Sequence, residues 1–192
     1  MVDVNQARCV NLDYRVPEWD LKRAVYTARK LEPYQIAWLE EPLKQWDIQG
    51  LQELRQRTAI PIAGGEYDEN IYGFQQLLDS FDIWQPDIAR AGGIWGTRKV
   101  GILAEARNKP CIIHTWGDGL IMHPSLQLAA AMTNCPYFEM PDERPAWAYD
   151  VRDFFLENPV QVDADGYVQV PQEPGLGYKL DWDKIERFTV KE

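Results

Sequence analysis

The sequence predicts an α/β protein in which helices pack against a parallel sheet. Short apolar runs alternate with segments of helical periodicity over residues 1–141, and this alternation is typical of parallel sheets. The apolar runs lack the alternation of apolar and polar residues that is typical of a sheet with one exposed face. This indicates strands that are buried on both faces. Each run ends in a side chain that can ionise, so one edge of the sheet is expected to carry polar chemistry.

Six strands and five helices are expected in alternation. The strands are predicted at 1–3, 36–39, 60–63, 83–85, 110–113 and 137–138. The helices are predicted at about 18–31, 47–57, 69–79, 97–107 and 125–133. The first helix has Pro17 at a position suited to its first turn, and its apolar residues recur at helical spacing, at Leu21, Val25, Ala28 and Leu31.

The chain changes character after Pro141, where prolines, tryptophans and charged residues dominate. Within this part, two short alternating runs at 160–162 and 167–170 flank an Asp-Gly pair, which predicts a β-hairpin. We therefore divide the chain into a barrel portion, residues 1–141, and a C-terminal extension, residues 142–192.

Composition narrows the class of protein. Apolar residues make up 45% and charged residues 26%, which is the balance of a folded globular domain. The net charge of −10 argues against binding to nucleic acid or to an anionic membrane, but it suits a divalent cation. The apolar runs are too short for a membrane span. Three well-separated cysteines without a Cys-x-x-Cys motif favour a reducing cytoplasm.

Three carboxylates follow neighbouring strands of the predicted sheet: Asp3, Glu40 and Glu66. The carboxyl ends of parallel strands in a closed barrel meet on one rim. Oxygen-only ligands in a rigid cage suit a hard cation such as Mg2+. Without a cation, such carboxylates would repel one another and their pKa values would rise. Side chains alternate along a strand, so Trp38 is expected on the same face as Glu40, with Glu41 turned toward the helices.

The next strand ends carry a base and its partner. Asp87 and His114 end the fourth and fifth predicted strands, and Glu139 ends the sixth. An aspartate bonded to a histidine orients the ring, fixes its tautomer and raises its basicity. A single acidic residue at a strand end is more often a solvated residue or a helix cap. Six ionisable strand ends in succession favour a shared site.

Several stretches resemble the enolase superfamily, specifically the C-terminal half of proteins of the mandelate racemase and muconate lactonizing enzyme type. They are VDVNQ at 2–6, WLEEPL at 38–43, PIAGGE at 61–66, QPDIARAGGI at 85–94, IIHTWG at 112–117 and YFEMP at 137–141. The resemblance implies a partial (β/α)8 barrel of the TIM type with about six strand–helix units. The family's first two strands and N-terminal capping domain would be missing, and the C-terminal extension would pack on that domain.

The resemblance also implies residue roles. The Mg2+ ligands would be Asp3, Glu40 and Glu66. His114 would be the general acid/base, Asp87 its partner, and Glu139 the group that hydrogen-bonds the substrate carboxylate. Asn5 would support the metal shell. The further candidates for substrate contacts are Lys44, Arg90 and Trp116.

The implied chemistry is removal of the proton α to a carboxylate, with Mg2+ holding the resulting enediolate. Dehydration of an acid sugar, an aldonate or aldarate, is the most similar activity. Racemisation and lactone cycloisomerisation at the same site are the alternatives. A third alternative is an inactive truncated fragment or an assembly module, because the family's Lys-x-Lys motif does not occur in this sequence. The open edges of a partial barrel predict a homo-oligomer or a complementing chain.

Overall fold

The computed structural model describes residues 1–8, 17–145 and 147–190. Its centre is a parallel sheet of four short strands, β1 (Val2–Asp3), β2 (Leu39–Glu40), β3 (Ile62–Gly64) and β4 (Ile83–Trp84). The strands lie side by side in chain order. Sequential parallel order with a helical connection between strands is the arrangement of a (β/α) barrel, so the described residues form part of one.

The fifth predicted strand continues the sheet as two parallel bridges, Trp84 with Cys111 and Asp87 with His114. The sixth is different, because the described residues form no strand at 137–138. Pro136 directly precedes this run and lacks the N–H that a ladder needs. The run still lies against the barrel interior, since the Tyr137 ring sits 6.0 Å from that of Trp38.

Seven α-helices are found among the described residues. They are α1 (Leu21–Leu31), α2 (Ile48–Arg57), α3 (Ile71–Gln76), α4 (Gly93–Glu105), α5 (Gly119–Ala130), α6 (Tyr149–Arg152) and α7 (Trp182–Phe188). No helix among these residues is long and apolar enough to cross a bilayer.

Capping side chains decide where several helices begin. Asp20 accepts a hydrogen bond from the backbone N–H of Arg23, so α1 starts after it and Pro17 lies outside the helix. Asp118 caps α5 in the same way, and this helix therefore begins six residues before the predicted start at 125. Pro124 lies inside α5, where its missing N–H forfeits a single intrahelical bond.

The sheet separates two apolar regions. Leu39, Ile62 and Trp84 point outward into the main core beneath the helices. The alternate positions point inward and form a smaller cluster, made of Trp38, Ala63, Ile83 and Ile112. Glu40 shares the inward face with Trp38, as strand alternation predicts. The carboxylates that follow this inner cluster therefore open into the mouth of the barrel.

The C-terminal extension packs against α5. Val160 is buried against Met122 and Leu126, and the predicted hairpin forms with an antiparallel bridge between Val162 and Val168. Within its Asp-Gly turn, Gly166 has a φ of +85°, which is a conformation that favours glycine. Packing of this extension on a capping domain stays a prediction.

Candidate active site

A cavity of about 610 Å³ opens at the carboxyl ends of the strands. All six ionisable strand ends singled out in the sequence line it: Asp3, Glu40, Glu66, Asp87, His114 and Glu139. The register explains why they meet. Asp3 is paired with Glu40 across β1 and β2, and His114 is bridged to Asp87, so each polar side chain emerges beside the next.

His114 is held between two carboxylates. Its Nδ1 donates to Oδ2 of Asp87 at 2.7 Å, and its Nε2 lies 3.2 Å from Oε2 of Glu66. Asp87 is itself fixed, because its Oδ1 accepts the backbone N–H of Ala89 at 2.7 Å. Asp87 therefore orients the imidazole through Nδ1, and Nε2 on the other side of the ring faces Glu66.

The carboxylates around His114 control its proton affinity. Burial alone lowers the pKa of His114, but the hydrogen bond that His114 donates to Asp87 and the charges of Glu66 and Glu139 outweigh burial and raise the pKa to about 9. In this arrangement the ring carries a proton that it can deliver into the cavity. Because an imidazole can both accept and donate a proton, His114 is suited to proton transfer at a carbon next to a carboxylate.

Two of the acids are oriented by neighbouring polar groups. The indole Nε1 of Trp38 donates to Oε2 of Glu40 at 2.9 Å, inside the barrel. Asn5 holds Asp3 from two sides, with its backbone N–H at 2.8 Å from Oδ1 and its Nδ2 at 3.2 Å from Oδ2. Asn5 has a φ of +55°, a conformation that asparagine tolerates better than most residues.

The carboxylates of Asp3, Glu40 and Glu66 are ligands of the type that Mg2+ prefers. Within residues 1–8, 17–145 and 147–190, no three His, Cys, Asp or Glu side chains lie close enough together to hold a metal ion as they stand. The residue types and their placement nevertheless fit, because three carboxylates on adjacent strands open into one cavity. Burial, followed by repulsion from neighbouring acids, raises the pKa of Glu40 and of Glu66. A divalent cation would relieve that cost.

Glu139 closes the opposite side of the cavity without a strand to carry it. Its Oε2 accepts the backbone N–H of Thr115 at 2.6 Å, while the Thr115 hydroxyl donates to the Glu139 carbonyl oxygen at 2.5 Å. Burial raises the pKa of Glu139 to about 7. Near neutral pH it is therefore available as a hydrogen-bond donor to a carboxylate.

The substrate-side candidates divide into two groups. Asn5, Arg90 and Trp116 line the cavity. Lys44 instead forms an ion pair with Glu18 at 3.0 Å, and in the described part of the chain it does not line this cavity. A substrate contact from Lys44 therefore stays a prediction without geometric support.

Sequence reasoning missed two features of the site. Tyr67 also lines the cavity, and the guanidinium of Arg90 stacks on its ring at 5.0 Å from the centroid. The available signal was that Tyr67 directly follows Glu66 at a strand end. The second feature is Glu41, which is 1% exposed with no hydrogen-bond partner for its carboxylate in the described structure. Burial, with the charge of Glu66, raises the pKa of Glu41 to about 9.

Known proteins share this architecture. A D-xylonate dehydratase from Haloferax volcanii is 34% identical over 85% of this chain and 39% of its own length. The crystal structure of a 3,6-anhydro-D-galactonate cycloisomerase from Zobellia galactanivorans matches with a TM-score of 0.80 and 36% identity, over 90% of this chain and 48% of that one. A racemase from Streptomyces coelicolor, solved with bound magnesium, matches with a TM-score of 0.78 and 28% identity, over 98% and 46% of the two chains.

The chain thus spans between 39% and 48% of the length of these relatives. The family profile described as enolase C-terminal domain-like matches residues 1–184. This match covers the strands, the six ionisable strand ends and most of the C-terminal extension. The resemblance read from the sequence is thereby confirmed: the chain belongs to the enolase superfamily, as a C-terminal domain of the mandelate racemase and muconate lactonizing enzyme type.

Proposed function

We propose that this chain supplies the metal-binding and proton-transfer residues of an enzyme that removes the proton α to the carboxylate of an acid sugar. The observation that carries the proposal is the His114–Asp87 pair, whose free imidazole nitrogen faces Glu66 in a cavity lined by the other acids. An α-proton next to a carboxylate is very weakly acidic, so a base must act together with strong charge stabilisation.

Each residue has a part in that reaction. His114, in its neutral form, takes the α-proton at Nε2, while Asp87 keeps the ring oriented through Nδ1 and stabilises the imidazolium that forms. A cation on Glu66 would favour the neutral form, because it would offset one of the charges that raise the His114 pKa. Glu139, in its protonated form, donates a hydrogen bond to the substrate carboxylate. That role agrees with its position on the cavity wall and with the rise of its pKa to about 7.

Asp3, Glu40 and Glu66 are the residues that would hold Mg2+. The bound cation would stabilise the negative charge that develops on the substrate carboxylate as the proton leaves. The protein's own contribution is orientation. Trp38 fixes one oxygen of Glu40 and Asn5 fixes both oxygens of Asp3, so the donors keep their direction before a ligand arrives.

Dehydration of an aldonate or aldarate is the reaction we favour. After proton removal, the same imidazole returns the proton to a departing β-hydroxyl, so one residue serves both half-reactions. Similarity to a dehydratase at 34% identity supports this choice. Lactone cycloisomerisation is the second candidate, because the Zobellia galactanivorans cycloisomerase matches with a TM-score of 0.80. Both reactions begin with the same proton transfer.

The substrate would be a small carboxylate, and the active unit would contain more than the residues described. The chain spans 39% of the dehydratase relative. We propose that a second copy or a complementing chain completes the barrel, within a cytoplasmic enzyme. A truncated or assembly-only role remains the rival, and it predicts Mg2+ binding without turnover.

Calorimetric titration of the 192-residue chain with Mg2+ tests the metal site first. We expect binding in the micromolar to millimolar range that is lost in Glu40→Gln and Glu66→Gln. Glu69→Gln, at an exposed glutamate near the same rim, is the matched control and should bind as the parent does.

The reaction itself is tested by incubating a panel of aldonates and aldarates in D2O with Mg2+. Exchange of the substrate's α-proton for deuterium, or a dehydrated 2-keto product with deuterium on the carbon next to the keto group, supports the proposal if it disappears in His114→Asn. A lactone or a ring-opened isomer as product would assign cycloisomerisation instead. Binding of Mg2+ without exchange on any acid would overturn the catalytic proposal for this chain.

A further inference from the structure

A buried ion pair lies outside the cavity, at the end of α6. Arg152 and Asp153 are adjacent in sequence, and their side chains are both 0% exposed. Arg152 donates through Nε to Oδ1 of Asp153 at 3.0 Å and through Nη2 to Oδ2 at 2.7 Å. Burying two charges costs free energy unless their remaining donors and acceptors form hydrogen bonds. The other contacts of this pair therefore show which segments it holds.

Those contacts reach two separate segments of the barrel. The third guanidinium nitrogen, Nη1 of Arg152, donates to the carbonyl oxygen of Pro141 at 2.7 Å. Oδ1 of Asp153 accepts the backbone N–H of Gly119, the first residue of α5, at 2.7 Å. A Cβ on Gly119 would lie 2.1 Å from Cδ1 of Leu156, so the extension approaches α5 as closely as glycine permits.

Both anchored segments lead directly into the site. Pro141 stands two residues after Glu139 in the sequence. Gly119 ends the loop that begins at His114 and presents Trp116 to the cavity. The other end of this loop is tied to Glu139, because the Thr115 N–H donates to the Glu139 carboxylate at 2.6 Å.

These contacts form one connected path. The 139–141 segment is held between Thr115 on one side and Arg152 on the other, and it has no strand ladder of its own among the described residues. The loop from 115 to 119 is held by Glu139 at its start and by Asp153 at its end. The ion pair therefore supplies the fixation that a sixth strand would otherwise give.

We propose that Arg152 and Asp153 are positioning residues for the reaction, holding the Glu139 carboxylate and the loop after His114 in place from outside the cavity. This inference rests on the proposed function, in which Glu139 donates a hydrogen bond to the substrate carboxylate. It makes the C-terminal extension a working part of the active site, in addition to any surface it offers to another domain.

The test is amide hydrogen exchange by NMR on the full chain, comparing Arg152→Met and Asp153→Asn with the parent. In Arg152→Met, we expect exchange at the Thr115 amide to accelerate at least tenfold. The amides of Leu39 and Trp84, which are bonded within the sheet, should change less than twofold. Arg187→Met and Asp183→Asn, both at exposed positions on α7, are the matched controls and should leave exchange at Thr115, Leu39 and Trp84 unchanged.

An equal acceleration at Thr115, Leu39 and Trp84 would overturn the proposal, because it would show that the pair contributes only to overall stability. No change at Thr115 would overturn it as well. If Arg152→Met does not fold, Arg152→Lys is measured instead. It keeps the charge but lacks the fork that reaches Asp153 and Pro141 together, so the same acceleration at Thr115 is expected.

The functional readout compares two quantities in the same variants. We expect the rate of α-proton exchange to fall at least tenfold while Mg2+ affinity stays within twofold, because the metal donors lie on β1 to β3. Parallel losses of both would contradict positioning. If the parent shows no exchange with any acid sugar, the proposed function fails, whereas the Thr115 amide still decides whether the ion pair fixes these segments.

Discussion

Replacing Glu139 with glutamine should make the folded chain more stable at alkaline pH and leave its stability nearly unchanged at acidic pH. Glu139 is a partly buried carboxyl whose Oε2 accepts the Thr115 N–H at 2.6 Å. A glutamine side chain keeps an oxygen that can accept this bond, but it carries no charge. The substitution therefore removes the cost of ionising a partly buried acid and keeps the local contact.

The size of the effect follows from the pKa of Glu139. Burial raises this pKa to about 7, from an ordinary value of 4.5. Below 4.5 the acid is neutral in both the folded and the unfolded chain, so folding is not penalised there. Between pH 4.5 and about 7 the unfolded chain has released this proton while the folded chain still holds it, so stability falls, and the penalty is complete above the folded pKa of about 7. One pKa unit corresponds to about 1.4 kcal/mol, so the full penalty is about 3 kcal/mol.

Urea unfolding at a series of pH values between about 4 and 9, with EDTA present, measures this penalty. The difference in unfolding free energy between Glu139→Gln and the parent should grow from near zero to about 3 kcal/mol in favour of the variant. Glu157→Gln, at an exposed glutamate, is the control and should show no such growth. Parallel pH curves for the parent and Glu139→Gln would refute the reasoning.

Three further substitutions probe the orientation of the site and one close helix contact. Asp87→Asn should reduce α-proton exchange about 100-fold or more, because His114 loses the charge that stabilises its protonated form. Trp38→Phe should lower the free energy of unfolding by about 1–3 kcal/mol in urea, since buried Glu40 loses its donor at 2.9 Å. Gly96→Ala should lower it by about 1–3 kcal/mol, because a Cβ there would lie 1.9 Å from a backbone oxygen.

Controls for these substitutions are present in the chain. Trp46→Phe changes an indole that is 67% exposed, and it should leave the unfolding free energy unchanged. Gly101→Ala places its Cβ 2.4 Å from the flexible end of Met132, which can move aside, so it should cost less than Gly96→Ala in the same helix. Equal costs for the two glycine variants, or an unaltered exchange rate in Asp87→Asn, would contradict the structural explanation.

The sequence predicted that the ionisable side chains would meet in one site, because their placement depends only on strand geometry and on the order of the strands. Side chains alternate along a strand, which puts Trp38 and Glu40 on one face, and the structure joins them by a hydrogen bond. Parallel strands in chain order bring their carboxyl ends to one rim, which places Asp3 beside Glu40. Both inferences need only the local sequence and the fold class.

What the sequence could not reveal depends on contacts between distant segments. Nothing near Lys44 in the sequence indicates that it pairs with Glu18 and is not among the residues that line the cavity. The late predicted start of α5, at 125, has a local cause instead, because Asp118 caps the helix by accepting the Leu120 N–H and so sets its start at Gly119.

The order of the site along the chain separates two tasks. The proposed metal ligands lie on β1 and β2 and directly after β3, whereas the proposed proton-transfer residues lie after β4 and beyond it. The relatives named above as a dehydratase, a cycloisomerase and a racemase match this chain across both parts. If the proposed proton removal is the step that this scaffold supplies, we expect the loops of the cavity wall, which in this chain carry Tyr67, Arg90 and Trp116, to decide which product follows.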